Sequence, residues 1–194
     1  MVGFDFTLHM RILCSDMVAR LEPLRHIDLD HVAIRFCQAR RSSHYGIQAS
    51  LTPMRFAGGS VETRNRGRRY TLERIHDPAG REMLYLLSFY LPRFLNRPFS
   101  DKLNIVIHEL WHIGPEFSGD VRRHSGRCYA HTSSKKEYNA VVQRLTAEWL
   151  ALDPPADVFA FLRFDFQSLA RLHGPVFGAR IPTPKLVPLS SLSD

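Results

Sequence analysis

The stretch Leu103–His112, with the sequence LNIVIHELWH, decides how this chain of 194 residues folds. It contains an HExxH motif, in which His108 and His112 are separated by four positions and Glu109 follows the first histidine. Residues i and i+4 of an α-helix lie on the same face, so both imidazoles can bind a single metal ion. Glu109 is then placed to act on a water bound to that metal. This arrangement is typical of zinc hydrolases with two helical His ligands and a carboxylate general base.

The residues on either side of the motif predict a buried helix. Ser100–Asp101 is a plausible N-cap and first-turn acid, and Gly114–Pro115 ends the helix after about Ile113. The helix is apolar on nearly all sides, so its imidazoles and its carboxylate need polar partners inside the protein. A metal ion supplies them. The alternative is a pair of core histidines bonded to backbone groups, with Glu109 incidental to both.

Periodicity over the rest of the chain predicts an α+β fold. Helical spacing covers residues 4–22, a helix opens at Ser133 or Ser134 and runs to about Leu152, and another covers 158–172 with Gly174 at its end. Strand-like segments occur before the motif helix, at 31–37, 48–56 and 69–75, and the apolar segment 83–91 is either a last strand, which we favour, or a buried helix. We therefore expect a small antiparallel or mixed sheet packed against helices. A single domain over residues 1–175 is followed by a proline-rich C-terminal tail over 176–194, which either lies along the domain or projects as a linker.

Composition bounds the class of protein. Hydrophobic residues make up 44% of the chain, as in ordinary globular domains. No stretch of 18 apolar residues is present, so no membrane association is expected, and residues 1–20 lack the pattern of a secretory signal. The three cysteines are scattered, without a CxxC pair. This pattern indicates reduced thiols and a cytoplasmic location.

The positive charge of the chain points to anionic partners. The formal net charge is +7, and arginines are dense over residues 64–69 and again over 122–127. Basic surfaces of this kind favour nucleic acid above other anions. The alternative is a solvated face without a partner, because acidic residues such as Glu62 and Glu73 are interspersed with the arginines.

A third zinc ligand has to come from downstream of the motif, since catalytic zinc usually takes three protein ligands. The familiar pattern HExxHxxGxxH is absent, because Pro115 and Ser118 stand at its glycine and histidine positions. His131 is the first candidate, ahead of His124 and Glu148. Glu148 is predicted to face inward, where it either binds zinc or accepts the ring N–H of a ligating histidine. The alternative is a glutamate at the edge of its face that takes no part in metal binding.

The motif and the segments after it resemble the SprT-like zinc metallopeptidases, and still more closely metallopeptidases of prokaryotes and their phages. The resemblance covers about residues 100–145. It rests on four segments: HELWH at 108–112, IGPEFSGDVRR at 113–123, Ala130–His131 and the helix that contains YNAVV at 138–142. It implies a zincin-like fold, zinc bound by His108, His112 and His131, and Glu109 as the catalytic residue.

The predicted function is therefore zinc-dependent hydrolysis of peptide bonds in a protein or peptide substrate. Zinc activates a water, and Glu109 takes up its proton and passes it to the leaving amine. Tyr129, His124 or a nearby arginine would stabilise the oxyanion. The competing hypothesis is a non-catalytic, zinc-stabilised module that binds nucleic acid or a protein through its basic face, with Cys128 or His124 as a fourth ligand.

Overall fold

The computed structural model describes residues 3–39, 46–123 and 135–189, which form an α+β fold. The strands are β1 (Phe4–Asp5), β2 (Val32–Gln38), β3 (Ala49–Pro53), β4 (Glu62–Asn65), β5 (Arg68–Leu72), β6 (Tyr85–Leu91), β7 (Val176–Phe177) and β8 (Leu186–Pro188). The α-helices are α1 (Phe6–Arg20), α2 (Phe99–Trp111), α3 (Lys135–Ala151), α4 (Ala156–Phe159) and α5 (Phe166–His173). Short 3-10 turns connect several of them. The α+β prediction is confirmed.

A mixed three-stranded sheet in the order β2-β6-β3 forms the centre of the fold. β6 has the sequence YLLSFYL and is buried along almost its whole length, as expected for a central strand covered on both faces. β2 runs parallel to it, with Ile34 opposite Leu87, and β3 runs antiparallel, with Leu51 opposite the same residue. β3 is therefore an edge strand.

The predicted first helix is confirmed as α1. Its apolar stripe, Phe6, Met10, Leu13 and Met17, is completely buried in the main hydrophobic core. The side chain of Asp5 caps the helix by accepting a hydrogen bond from the backbone N–H of Leu8 at 3.1 Å.

α2 carries the HExxH motif and packs against both α3 and β3. The helix begins at Phe99, after Pro98, and has no side-chain cap, so the predicted cap at Ser100–Asp101 is wrong. Asp101 instead accepts a hydrogen bond from Arg97 at 2.6 Å. α3 runs antiparallel to α2, because Tyr138 contacts His108 near one end of the pair and Thr146 contacts Asn104 at 2.7 Å further along.

Two predictions about secondary structure need correction. The helix expected over 158–172 is broken into α4, a 3-10 turn and α5, because Phe164 is extended and the Asp165 side chain caps a new helix by accepting from Ser168 N at 2.7 Å. Gly174 ends α5 as predicted. The strand predicted near 69–75 is the second arm of a β4–β5 hairpin, whose first arm the sequence pattern does not predict.

The segment predicted as a tail lies along the domain as far as residue 189. β7 pairs with β1, and β8 pairs with β5. Arg35, only 7% exposed, donates hydrogen bonds to the carbonyl of Ile181 at 2.7 Å and the hydroxyl of Thr183 at 3.0 Å. None of the described helices is long and apolar enough to cross a membrane.

Candidate metal centre

The two motif histidines direct their Nε2 atoms toward each other. His108 lies in the last turn of α2 and His112 is the residue at its C-cap, so the chain brings both to one face. The Nε2 atoms are 3.1 Å apart, and the ring planes meet at 84° with centroids 4.7 Å apart. Two imidazole nitrogens therefore face a common point.

Tyr138 of α3 packs against both imidazoles. Its ring centroid is 4.8 Å from that of His108 and 5.3 Å from that of His112. Its Oη donates a hydrogen bond to the backbone carbonyl of His108 at 3.1 Å. Burial raises the pKa of the Tyr138 phenol above its usual range, which keeps the donor protonated. The sequence places Tyr138 in an apolar stripe, and no local pattern points to this contact.

Glu109 is buried, with 8% of its surface exposed. Burial raises the pKa of its carboxyl to about 7, although the backbone N–H of Leu51 donates a hydrogen bond that lowers it. A carboxyl group with a pKa near neutrality is suited to take up and release a proton at physiological pH. Leu51 belongs to β3, so the edge strand lies directly beside the motif helix.

A cavity of about 490 Å³ opens beside His108 and Glu109. α2 forms its floor, the start of β3 one wall and α3 the other. Its lining is rich in amide and charged side chains, including Gln48, Asn139, Gln143, Arg97 and Asp101. The cavity therefore joins the predicted catalytic residues to a polar cleft that is large enough for several residues of a ligand.

The loop that follows α2 folds back over the end of the helix. Arg122 donates from its backbone N–H to the carbonyl of His112 at 2.6 Å and from Nε to the carbonyl of Trp111 at 2.9 Å. Its guanidinium also stacks on the Trp111 ring, 3.7 Å from the centroid. These bonds satisfy carbonyl groups that the last turn of a helix leaves without intrahelical partners.

A second set of contacts holds this loop to the central sheet. Tyr85 of β6 donates from Oη to the carbonyl of Asp120 at 2.9 Å and accepts from the backbone N–H of Gly119 at 3.0 Å. The Asp120 carboxylate pairs with Arg123 at 2.7 Å and accepts from the backbone N–H of Gly58 at 2.9 Å. Sequence reasoning does not identify Tyr85, because its partners lie more than thirty residues away along the chain.

The structure brings together His108, Glu109 and His112 of the predicted site residues. Glu148 does not face inward as predicted: its carboxylate is 41% exposed and lies 3.4 Å from Arg144. It is also ten residues beyond Tyr138, which corresponds to about 15 Å along a helix. His131, His124, Tyr129 and Cys128 lie outside the described residues. Within the described ranges, no cluster of three or more His, Cys, Asp or Glu residues is arranged to hold a metal ion.

The chain matches no known family model, no curated protein and no solved structure. The resemblance to SprT-like metallopeptidases therefore stays a prediction, and a functional proposal rests on the geometry of the site.

Proposed function

We propose that this protein is a zinc-dependent metallopeptidase of the HExxH type, with a zincin-like arrangement of the motif helix beside an edge strand. The observation that carries the proposal is the convergence of the His108 and His112 Nε2 atoms at 3.1 Å. Glu109 lies next to them on α2, and the polar cavity opens at the same place.

The donor set fits zinc. Neutral imidazole is a preferred ligand of this ion, and two nitrogens bound to one tetrahedral zinc are about 3.3 Å apart. The observed separation of 3.1 Å is close to that value. Tyr138 holds both rings from one side, so little side-chain freedom would be lost on binding.

The third ligand is proposed to be His131, which comes between α2 and α3 in the sequence and lies outside the described residues. The two helices are already packed together, and α3 begins four residues after His131. Tyr138, in the first turn of α3, contacts both motif histidines, so the start of α3 lies beside them. His124, from the same stretch of sequence, is the alternative, whereas the exposed ion pair of Glu148 argues against its use.

Zinc, when bound, lowers the pKa of a water and polarises the carbonyl of the scissile bond. Glu109 would accept the proton of the attacking water and later donate it to the leaving amine, as the general base and acid of this reaction. Among the described residues β3 has β6 on one side only, and the N–H of Leu51 points toward Glu109 rather than into the sheet. An extended peptide laid along this free edge would pass over His108 and Glu109.

The test measures zinc content and coordination on the whole chain. We expect about one zinc per wild-type chain, bound by three protein N/O ligands in X-ray absorption. His108→Ala, His112→Ala and His131→Ala should each lose most of it, and His76→Ala, which changes an exposed histidine elsewhere, should keep it. Peptide-library cleavage by the zinc-loaded protein would then identify substrates.

Two results would count against the peptidase. A wild-type chain that binds no zinc would mean that the histidines form a simple N–H···N hydrogen bond. A site closed by four protein ligands that include sulfur would indicate a structural zinc, and so the non-catalytic binding module.

A further inference from the structure

The β4–β5 hairpin presents arginines around its tip. Its turn is Arg66–Gly67, and both residues have positive φ, 49° and 80°. This is the pattern of the tight two-residue turn that suits the twist of a hairpin. Among the described residues, β8 and the residue after it cover only the base of the hairpin: β8 pairs with β5 from Tyr70 to Leu72, and the N–H of Leu189 donates to the Arg69 carbonyl at 2.9 Å. The tip therefore has no neighbouring strand among the described residues.

The register places arginines on both faces of this ribbon. Arg64 is opposite Arg69, and Asn65 is opposite Arg68. Paired residues in an antiparallel ladder share a face and successive residues alternate, so Arg64 and Arg68 lie on opposite faces. Arg66 occupies the turn between them. Positive charge is thus distributed over both faces and the end of the ribbon.

Three of these arginines lack an acidic partner within the described ranges. Arg69 is bonded to Glu62 at 2.9 Å through Nε, but no carboxylate of the described residues pairs with Arg64, Arg66 or Arg68. All three are exposed. The second basic cluster of the sequence differs, since Arg122 is stacked on Trp111 and Arg123 is paired with Asp120.

The arginines at the tip are poor choices for the stability of the hairpin. Like charges directly opposite each other destabilise a strand pair, as at Arg64 and Arg69. A left-handed backbone favours Asn or Gly, yet position 66 holds an arginine. The stability of the hairpin therefore does not account for arginine at these positions, whereas a role in binding would.

We propose that the β4–β5 hairpin is a binding surface for duplex nucleic acid, inserted into a groove with its arginines on the flanking phosphates. A two-stranded ribbon fits the major groove of B-DNA, which is about 12 Å wide and has phosphates along both walls. Arg64 and Arg68 face those opposite walls, and Arg66 faces the floor.

Other anionic partners match this arrangement less well. A flat acidic protein surface or an anionic membrane would meet one face of the ribbon and leave the other arginine in solvent. Single strands are bound largely by stacking on aromatic rings. The only aromatic residue of the hairpin is Tyr70, and it lies at the base where β8 pairs.

The test is binding of a fluorescent 20-base-pair DNA duplex by anisotropy, across a salt series, with the full chain. The triple variant of the tip is Arg64→Thr/Arg66→Asn/Arg68→Thr. Its affinity for the duplex at 0.1 M salt should be lower by roughly eightfold for each arginine that no longer neutralises a phosphate. The plot of log K against log salt should become shallower by about 2.7. Arg25→Thr/Arg171→Thr/Arg180→Thr, which removes the same charge from exposed positions elsewhere, should keep most of the affinity and the slope.

A second signature separates binding from folding. Arg66→Asn alone should bind the duplex more weakly and yet melt at the same temperature as the wild type or higher, because asparagine suits the left-handed turn. His108→Ala should bind DNA with the affinity of the wild type. The test of DNA binding is therefore independent of the proposed zinc site.

Three outcomes would overturn the proposal. The first is equal binding by the two triple variants. The second is a single strand of the same sequence that binds as tightly as the duplex. The third is a wild-type chain that binds polyglutamate or phosphatidylserine vesicles as tightly as it binds the duplex, together with weaker binding of the same ligand by the triple variant of the tip. That result would assign the surface to an acidic protein or a membrane.

Discussion

The backbone N–H of Leu51 points away from β6 and acts as a donor toward the buried carboxyl of Glu109, whose pKa it lowers. The donor belongs to the edge strand β3 and the acceptor to the motif helix α2, so the contact ties the sheet to the candidate metal centre. Because burial still dominates, the pKa of Glu109 remains at about 7. A single donor therefore orients the carboxyl without removing its ability to exchange a proton.

Glu109→Gln should separate chemistry from folding. The amide has the same shape and its oxygen can still accept from Leu51, so the melting temperature should stay close to that of the wild type. Zinc content should also be unchanged, since the ligands are untouched. Removal of the general base should lower kcat by about 10²–10⁴-fold. Peptide turnover, zinc analysis and a thermal melt on one preparation provide the check, and full activity in the variant would remove Glu109 from the mechanism.

Tyr138 is expected to set zinc affinity through the two imidazoles that it contacts. Tyr138→Leu removes the ring from both, and the removal of such support around metal ligands typically weakens binding by about 10–100-fold. Tyr138→Phe keeps the ring and removes the bond to the His108 carbonyl, so it should cost about 1 kcal/mol of stability and leave most of the affinity. Competition with a chelator measures both variants, and equal affinities for the two would show that the ring plays no part.

The motif helix and the first helix could be predicted because their signals are local: a spacing of four residues and an apolar stripe that α1 buries completely. The contact of Tyr138 with both histidines could not, since it joins α2 to a helix that begins more than twenty residues later. The break between α4 and α5 is equally hard to predict. Its apolar residues continue a helical period through the break, and only the cap supplied by Asp165 marks the new start.

Glu148 shows how a helical stripe can mislead. The stripe predicts an inward position shared with Tyr138 and Leu145, but in α3 the fully buried side chain of this turn is its neighbour Trp149. The indole of Trp149 donates from Nε1 to Asp16 at 2.8 Å, which fixes the rotation of the helix against α1. Glu148 is then left at the edge of that face, where Arg144 is its partner.

Tyr85→Phe should loosen the loop that follows α2. The hydroxyl bridges the N–H of Gly119 and the carbonyl of Asp120. Without it the Gly119 N–H would lose its acceptor, and the Asp120 carbonyl would keep only the longer bond from the Gly114 N–H at 3.4 Å. Such a change costs about 1–3 kcal/mol of the free energy of unfolding. Urea denaturation measures the free energy of unfolding of both proteins. The control is Tyr70→Phe on the β4–β5 hairpin, which should change this free energy by less than about 0.5 kcal/mol. A cost no larger than that of the control would show that the loop is held without this bridge.

Lys102 should make stability depend on alkaline pH. Its side chain is 2% exposed, and its Nζ donates to the carbonyls of Leu95 at 2.6 Å and Phe164 at 2.8 Å. Burial lowers the pKa of this ammonium group from 10.5 to about 8 in the folded protein. Between these two pKa values the unfolded chain binds more protons than the folded one, so the free energy of unfolding should rise as the pH rises through this window.

The Lys102 contribution can be isolated by comparison with Lys102→Met. The wild type should gain up to about 3 kcal/mol relative to this variant between pH 8 and pH 10.5, because each unit of pKa difference corresponds to about 1.4 kcal/mol. Lys136→Met, at an exposed position on α3, should keep the pH dependence of the wild type. Urea titrations at several pH values give the three curves. Parallel curves for the wild type and Lys102→Met would mean that the two carbonyl acceptors offset the effect of burial and keep the pKa of Lys102 near its ordinary value.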